Sequence, residues 1–417
     1  MNDKVAVIGL GKVGIPIVAQ CLSKGMNVTG IDINNQTIEN LNKGIINVDE
    51  PEAENIIKKA LERKFFVAST KFEDISECDI VIVIIPLVID DDKNIKYGPI
   101  ENLTVTISKF VKTNSLVIYE TTLPIGDTRR FSEMLRKEKN IYVAYSPERV
   151  YAGRILKDLA TYPKILGGVD EQSSRKAEEF YKKLLDVKVL VAKNSETAEA
   201  SKLFDMIYRD TNIALANEYA KFCQDTNIDV DEVIELANTN PFVNIHLPGI
   251  GVGGHCTPVY PYFLINKSKV TIPSFARKIN ERMPEFGVNI LQKELNKIGK
   301  SISESSVLVL GLSFRPGVKE PAFSPSIKVI EELKNHNACV YLHDPMFSEK
   351  EIRNFCEYGN LNANYDAVIL CTAHPEYLKI DFSDMKNKGL KIIIDGRNVL
   401  KKEKIKSLGL IYRGIGK

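Results

Sequence analysis

Val5-Ala-Val-Ile-Gly9-Leu-Gly11-Lys12-Val13-Gly14 decides the fold. A β-branched apolar run passes straight into a Gly-x-Gly-x-x-Gly turn, and a helical apolar period opens at once. Gly9 permits the tight turn, and Gly11 lets backbone N–H groups approach a pyrophosphate at a helix N-terminus. Gly14 permits close helix–strand packing. Asp32 closes the next strand-like run, 18 residues after Gly14. A carboxylate there accepts hydrogen bonds from ribose hydroxyls and repels a 2′-phosphate. The pattern predicts a strand–turn–helix unit that binds NAD in preference to NADP.

Outward from this unit, the first ~190 residues alternate short apolar runs with helical periods. Lys4–Ile8, Asn27–Ile31, Ile80–Ile85, Leu116–Tyr119 and Ile141–Ala144 read as strands buried on both faces of a parallel sheet. From about Ser195 to Asn238 the period becomes helical, with Leu203, Ile207, Ala214 and Leu215 on one face and Ser195 as the N-cap. A Pro/Gly-rich loop, Pro241 to Pro261, precedes more helix through about Asn296. Strand character returns at Val307–Gly311, Cys339–Leu342, Ala367–Cys371 and Lys391–Ile394.

The tail repeats the head. Val307-Leu-Val-Leu-Gly311 echoes Val5-Ala-Val-Ile-Gly9, and Leu342-His-Asp344 echoes Gly30-Ile-Asp32. The expected architecture is α/β, with two Rossmann-like parallel-sheet domains joined by a central helical segment. The expected divisions are 1–193, 194–298 and 299–417. The second turn, Gly311-Leu-Ser-Phe, lacks the full fingerprint, so that sheet is expected to hold a different phosphorylated ligand.

Composition narrows the class. The 417 residues are 44% apolar and 26% charged, as in an ordinary soluble globular protein, and the net charge of +2 creates no field suited to nucleic acid or a membrane surface. Seven scattered cysteines without CxxC spacing favour a reducing, cytoplasmic setting. Five histidines form no metal-ligand cluster, so no metal is expected. No apolar run approaches the 18 residues or so of a membrane span, and no signal-like layout opens the chain.

Gly253-Gly254-His255-Cys256 carries the second chemical signal. Glycines let the backbone approach a ligand, so a thiol at the end of such a turn can face a substrate instead of a core. A buried free cysteine is the ordinary alternative. Combined with a nicotinamide cofactor, an accessible thiol suggests an oxidation that passes through a thioester.

At this point the chain resembles the UDP-glucose/GDP-mannose dehydrogenase family, the nucleotide-sugar 6-dehydrogenases, over essentially its whole length. The carrying segments are Val7 to Gly14, Glu120-Thr-Thr-Leu-Pro-Ile-Gly126, Ser146-Pro-Glu-Arg149, Lys202-Leu-Phe204, Gly251 to Cys256 and Gly311-Leu-Ser-Phe-Arg315. Arg209 to Glu218 and Val243-Asn-Ile-His-Leu-Pro-Gly249 look more like the UDP-N-acetylmannosamine branch than the UDP-glucose branch. The resemblance implies an NAD domain, a central helical dimerisation segment and a C-terminal UDP-sugar domain, and so a homodimer or higher homo-oligomer.

It implies oxidation of a sugar C6 alcohol to a carboxylate by two hydride transfers. Cys256 would be the nucleophile, Glu148 the base for water, Lys202 the charge beside the oxyanion, and Thr122 a positioner of water near the nicotinamide. Lys12, Val13 and Pro86 join Gly9, Gly11, Gly14, Asp32 and Thr122 as implied cofactor contacts. Arg149, Asn244, His246, Gly253, Tyr260, Arg315 and Arg397 join Glu148 and Lys202 as implied sugar-nucleotide contacts.

Several positions depart from the family pattern. Tyr260 stands where an aspartate is usual, Met206 replaces an asparagine, Phe242 and Ala322 replace arginines, and Ala152 replaces the second glutamate of UDP-glucose enzymes. The alternatives are therefore a UDP-glucose 6-dehydrogenase, a β-hydroxyacid dehydrogenase sharing the first sheet, and a non-catalytic UDP-sugar-binding paralogue.

Overall fold

The computed structural model describes residues 3–417 other than 49 and 152, so the Ala152 departure lies outside the described residues. The chain forms two compact units: residues up to Asp205 together with Tyr262–Lys267, and Met206–Pro261 with Ser268–Lys417.

In the first unit the strands are β1 (Lys4–Ile8), β2 (Asn27–Ile31), β3 (Phe66–Ser69), β4 (Ile80–Val83), β5 (Leu116–Tyr119), β6 (Tyr142–Tyr145), β7 (Lys164–Gly168) and β8 (Val189–Val191). They form one sheet in the order β3-β2-β1-β4-β5-β6-β7-β8. The second unit holds β9 (Ser306–Leu310), β10 (Cys339–His343), β11 (Glu357–Tyr358), β12 (Ala367–Leu370), β13 (Ile392–Asp395) and β14 (Ile411–Gly414), ordered β11-β10-β9-β12-β13-β14. The six strands of the second sheet and the first six of the first sheet share one doubly wound order, whose switch point is a nucleotide-binding crevice in such folds. Every residue of β4, β5, β12 and β13 is buried, as their unbroken apolar runs require.

The repeat read from the sequence extends to hydrogen bonds. Gly9 N–H donates to Ile31 O at 2.8 Å, and Gly311 N–H to His343 O at 2.8 Å. Both glycines hold a positive φ, +99° and +97°, that side chains disfavour. Leu10 N–H then donates to Asp32 Oδ2 at 2.8 Å, and Leu312 N–H to Asp344 Oδ2 at 2.7 Å.

Several expectations need correction. The first sheet is not wholly parallel, because β7 runs antiparallel to β6. β4 stops at Val83, since the Ile85 N–H turns to Thr121 Oγ1 (3.0 Å). β3, β7, β8, β11 and β14 were absent from the sequence reading; they are short, and β8 is largely exposed. Asn194, not Ser195, caps the long helix Ser195–Thr226, accepting from Thr197 N–H (2.9 Å) and Thr197 Oγ1–H (2.7 Å). Leu203, Ile207 and Ala214 are buried on that helix, but Leu215 is 45% exposed. One residue turns the helix by about 100°, which carries Leu215 off the buried face.

One helical carboxylate fixes the loop after β5. Glu199, fully buried, accepts from Gly126 N–H (2.6 Å), Thr128 N–H (2.8 Å) and Thr128 Oγ1–H (2.6 Å), which closes the first turn of helix Asp127–Leu135. Burial outweighs these donors and pushes its carboxyl from 4.5 up to about 7. For a raised carboxyl, the stabilisation is complete below the unfolded-state value and is lost as pH climbs through about 7. The expected outcome is a stability that declines from pH 5 to 7 by about 2 kcal/mol through this group. Urea unfolding of Glu199→Gln across that range should show a visibly flatter profile than wild type; parallel profiles would refute the assignment.

Candidate active site

The first-sheet turn is a cradle shaped by what it excludes. A Cβ on Gly9 would lie 2.2 Å from Ile84 O, and one on Gly14 would lie 1.8 Å from Gly9 O, so neither position tolerates a side chain. A Cβ on Gly11 would meet nothing within 4 Å, so this backbone is open on the side where a pyrophosphate docks. Gly11 and Lys12 are exposed, Val13 offers no side-chain cap, and helix Gly14–Ser23 has no acidic residue in its first turn. Its N-terminal N–H groups and dipole therefore favour an anion.

Asp32 spans the turn, taking Leu10 N–H on one oxygen and Asn34 N–H (2.9 Å) on the other, and stays half-exposed. A cavity of about 190 Å³ lies beside the turn, lined in part by Leu10, Gly11, Lys12, Ile15 and Thr37. These residues fit a dinucleotide. Pro86 is exposed on the loop after β4. Thr122 is buried, and the hydroxyl that satisfies the strand end belongs to its neighbour Thr121, which binds both Ile85 N–H and Ile85 O.

A second group gathers at the C-terminal end of β6. Ser146 Oγ–H anchors the Ser146-Pro-Glu-Arg149 segment to Ile165 O (2.8 Å). Lys202, buried on the long helix, donates to the main-chain oxygen of Glu148 at 2.7 Å. The Glu148 carboxylate rests against the ammonium of Lys164, which also reaches Glu120 Oε1 at 3.0 Å. Tyr181 Oη–H donates to the same Glu120 oxygen, and its ring lies 4.7 Å from Lys164 Nζ. Burial pulls the Lys164 ammonium below the ordinary lysine range, Glu120 opposes that, and Lys202 adds to the lowering. Arg149 turns its guanidinium to Pro163 O. Sequence reasoning named Glu148 and Lys202 and missed Lys164, Glu120 and Tyr181. The available signal was Lys164 itself, a lysine opening the apolar strand Lys164-Ile-Leu-Gly-Gly168.

In the second unit the Gly253-Gly254-His255-Cys256 turn sits on the segment after β9. A Cβ on Gly253 would lie 2.8 Å from both Phe314 Cβ and Phe323 O, and Gly254 N–H donates to Ala322 O at 3.0 Å. Ala322 therefore holds the turn through its backbone. Cys256 is exposed, with its Sγ 3.7 Å from the Tyr260 hydroxyl. Arg397, implied as a nucleotide contact, points its guanidinium at protein: Nε–H donates to Cys371 O (2.6 Å) and Nη1–H to Gly251 O (3.2 Å). It ties the glycine loop to the end of β12. Asn212 binds Asn244 O (2.6 Å) and His246 N–H (2.9 Å), fixing the loop that precedes the thiol. Arg315 is half-buried with its guanidinium 5.8 Å from the Phe314 ring centre.

An open dinucleotide cradle, a second sheet of the same winding and an exposed thiol behind a glycine turn define a class: a nucleotide-dependent oxidoreductase. Three family models place it more narrowly. The UDP-glucose/GDP-mannose dehydrogenase NAD binding domain matches residues 3–185, the central domain 196–282 and the UDP binding domain 308–402. The chain belongs to the UDP-glucose/GDP-mannose dehydrogenase family.

UDP-N-acetyl-D-mannosamine dehydrogenase of Pyrococcus horikoshii is 35% identical over 99% of both chains, and that of Escherichia coli K12 is 31% identical over 95% of this chain and 98% of its own. The solved Pyrococcus structure superposes with a TM-score of 0.90 at 34% identity, covering 99% of each chain. An NDP-N-acetyl-D-galactosaminuronic acid dehydrogenase from Methanosarcina mazei gives 0.87 at 28% identity, covering 100% of this chain and 95% of its own. The protein is thus an NAD-dependent oxidoreductase of the nucleotide-sugar dehydrogenase type, with a UDP-sugar as substrate. Among the described residues no helix is long and apolar enough to cross a membrane.

Asp32→Ala frees Leu10 N–H and removes the carboxylate expected to accept from the ribose. The expected result is roughly tenfold weaker NAD binding, with NADP much less affected, as read by titration of both cofactors. An unchanged NAD/NADP ratio would remove Asp32 from the cofactor site.

Proposed function

We propose that the protein oxidises the C6 alcohol of UDP-N-acetyl-D-mannosamine to the carboxylate, in two hydride transfers with a covalent intermediate on Cys256. The exposed Cys256 sulfur at the end of its glycine turn carries this reading. The names of the relatives at 31–35% identity support the substrate.

NAD, when bound, supplies the hydride acceptor for both oxidations. Lys202 places a cation where an alkoxide or oxyanion develops. Cys256 adds its sulfur to the aldehyde carbon while its proton passes to the carbonyl oxygen, giving a thiohemiacetal; loss of a hydride to NAD, when bound, and of the hydroxyl proton to solvent would leave a thioester. Glu148 then takes a proton from a water whose oxygen adds to the thioester carbonyl; the C–S bond breaks and the sulfur leaves as thiolate. Thr122 orients water. The Tyr260 hydroxyl, 3.7 Å from the sulfur, serves as its polar neighbour in place of the usual aspartate. Arg315 contacts the nucleotide diphosphate, whereas Arg397 acts by bracing the loop. Arg149, Asn244, His246 and Gly253 complete the sugar-nucleotide contacts.

The functional division we propose is 1–193 for NAD, 194–298 for the helical segment with the thiol loop, and 299–417 for the UDP-sugar. Along helix Ser195–Thr226, Tyr208, Leu215, Tyr219 and Phe222 form an exposed stripe at helical spacing, with Phe222 at 64% exposure. That stripe supports a homodimer. Seven free cysteines support a reducing, cytoplasmic setting.

Three experiments test the proposal. Across UDP-N-acetylmannosamine, UDP-N-acetylglucosamine and UDP-glucose, turnover should be dominated by the first, with two NADH released per sugar; dominance of UDP-glucose would reassign the substrate. Cys256→Ala should form no carboxylate while its NAD affinity stays within about twofold of wild type, since the dinucleotide cradle is untouched. Carboxylate formation near the wild-type rate would rule out the covalent route. Phe222→Glu should shift the solution mass from dimer to monomer.

A further inference from the structure

The buried ammonium of Lys164 has no role in the chemistry so far, and its surroundings are not those of a folding residue. It opens a strand whose neighbours are apolar or glycine, its side chain is 5% exposed, and it meets two carboxylates. A buried pair of this kind seldom stabilises a fold better than apolar packing would, so its presence calls for another explanation.

We propose that Lys164 is the positioning residue of Glu148: it aims the carboxylate and keeps it ionised, and Glu120 shares the same ammonium so that Glu148 remains basic enough to accept a proton. This rests on the reading of Glu148 as the base.

The geometry supports each part. Glu148 is fixed at two points: Lys202 Nζ binds its main-chain oxygen at 2.7 Å and Lys164 touches its carboxylate. The main chain and the carboxylate thus cannot swing independently. Glu120 Oε1 lies 3.0 Å from Lys164 Nζ and also receives the Tyr181 hydroxyl, so the ammonium is divided between two anions. Glu120 Oε2 is buried without a hydrogen-bond partner in the structure. The two carboxylates and the ammonia-derived cations of Lys164 and Lys202 balance to zero net charge. Without Lys164, two buried carboxylates would face one cation, and one of them would take up a proton. A protonated Glu148 cannot act as a base.

Other titratable groups bear on the cluster. Cys21 on helix Gly14–Ser23 couples to Glu120, Tyr181 stands on helix Glu171–Leu184, and Lys202 on the long helix. Arg149, Asp158 and Tyr162 line the small cavity beside Glu148. None of these replaces the direct contact of Lys164.

The test compares Lys164→Met, Lys164→Arg, Glu120→Gln and Glu148→Gln in the full-length protein. Steady-state rates on UDP-N-acetylmannosamine give kcat, KM and the acid limb of kcat. Isotope-edited infrared difference spectra against Glu148→Gln backgrounds follow the Glu148 carboxyl stretch with pH and need no turnover. Lys164→Met should lower kcat about a hundredfold with KM within about threefold. It should also raise both the acid limb and the infrared midpoint by about one pH unit or more. Lys164→Arg should recover much of the rate. Glu120→Gln, which keeps its shape, should move the limb and midpoint the other way, because the whole ammonium then serves Glu148. Unchanged NAD affinity reports an intact fold.

An unmoved midpoint in Lys164→Met or in Glu120→Gln overturns the proposal, as does a wild-type kcat in Lys164→Met beside an inactive Glu148→Gln. Should Lys164→Met fail to fold, the Glu120→Gln midpoint alone decides. Near-wild-type carboxylate formation by Glu148→Gln would instead overturn the assignment of the base.

Discussion

A carboxylate at the end of a strand, receiving the first N–H of a glycine turn, is the constraint on which both nucleotide-type sheets depend. Asp32 takes Leu10 N–H and Asp344 takes Leu312 N–H, at 2.8 and 2.7 Å. In each case the preceding glycine has already bonded the end of the neighbouring strand. Two consecutive N–H groups are thus consumed by β2 or β10 before the following segment begins, and the direction in which the turn leaves the sheet is set. The two copies then diverge. Asp32 stays half-exposed, whereas Asp344 is buried and also receives Ser313 N–H and faces His374 Nε2 at 3.1 Å. A carboxylate saturated in this way is a brace, and a half-exposed one retains lone pairs for a ligand. The same device therefore leaves an open carboxylate beside one turn and makes a rigid shelf of the other.

The shelf has a visible consequence. The segment after β9 supplies Phe314, Ala322 and Phe323 as the bed of the Gly253-Gly254 turn, and Arg397 pins Gly251 to the end of β12. A nucleophile needs a fixed position more than it needs many partners, because orientation lowers the barrier for attack. Glycine backbone packed against the Phe314 and Pro325 side chains and Phe323 O holds the turn while the thiol stays exposed. The glycines are required less for flexibility than for the absence of a Cβ where the chains press together.

The legible part of the molecule was the part whose signal is local. The glycine turn, Asp32, the buried strands and the repeated Gly311 to Asp344 unit are all carried by residues adjacent in sequence. Cys256 was readable because its glycines precede it. What escaped was long-range. Lys164 and Glu120 are 44 residues apart, and nothing near either one announces the other. The antiparallel β7 looks like any short apolar run, since strand direction is set by the connection and not by composition. Arg397 was named from sequence for a nucleotide, and the tie it makes from the glycine loop to the end of β12, through two main-chain carbonyls, was not legible there. Ala322 is the converse case. Its replacement of an arginine reads as a loss, yet the position contributes through its carbonyl, which any residue provides.

Tyr260 raises a question of charge. An aspartate four residues after the thiol would stand as an anion beside the sulfur and would disfavour its thiolate. A tyrosine hydroxyl at 3.7 Å carries no charge at neutral pH and can donate to a thiolate. Met206 on the long helix likewise exchanges an amide for an uncharged thioether. Lys202, on the same helix, donates to the main-chain oxygen of Glu148. On electrostatic grounds an uncharged hydroxyl donor at position 260 favours a thiolate at Cys256 more than an aspartate there would.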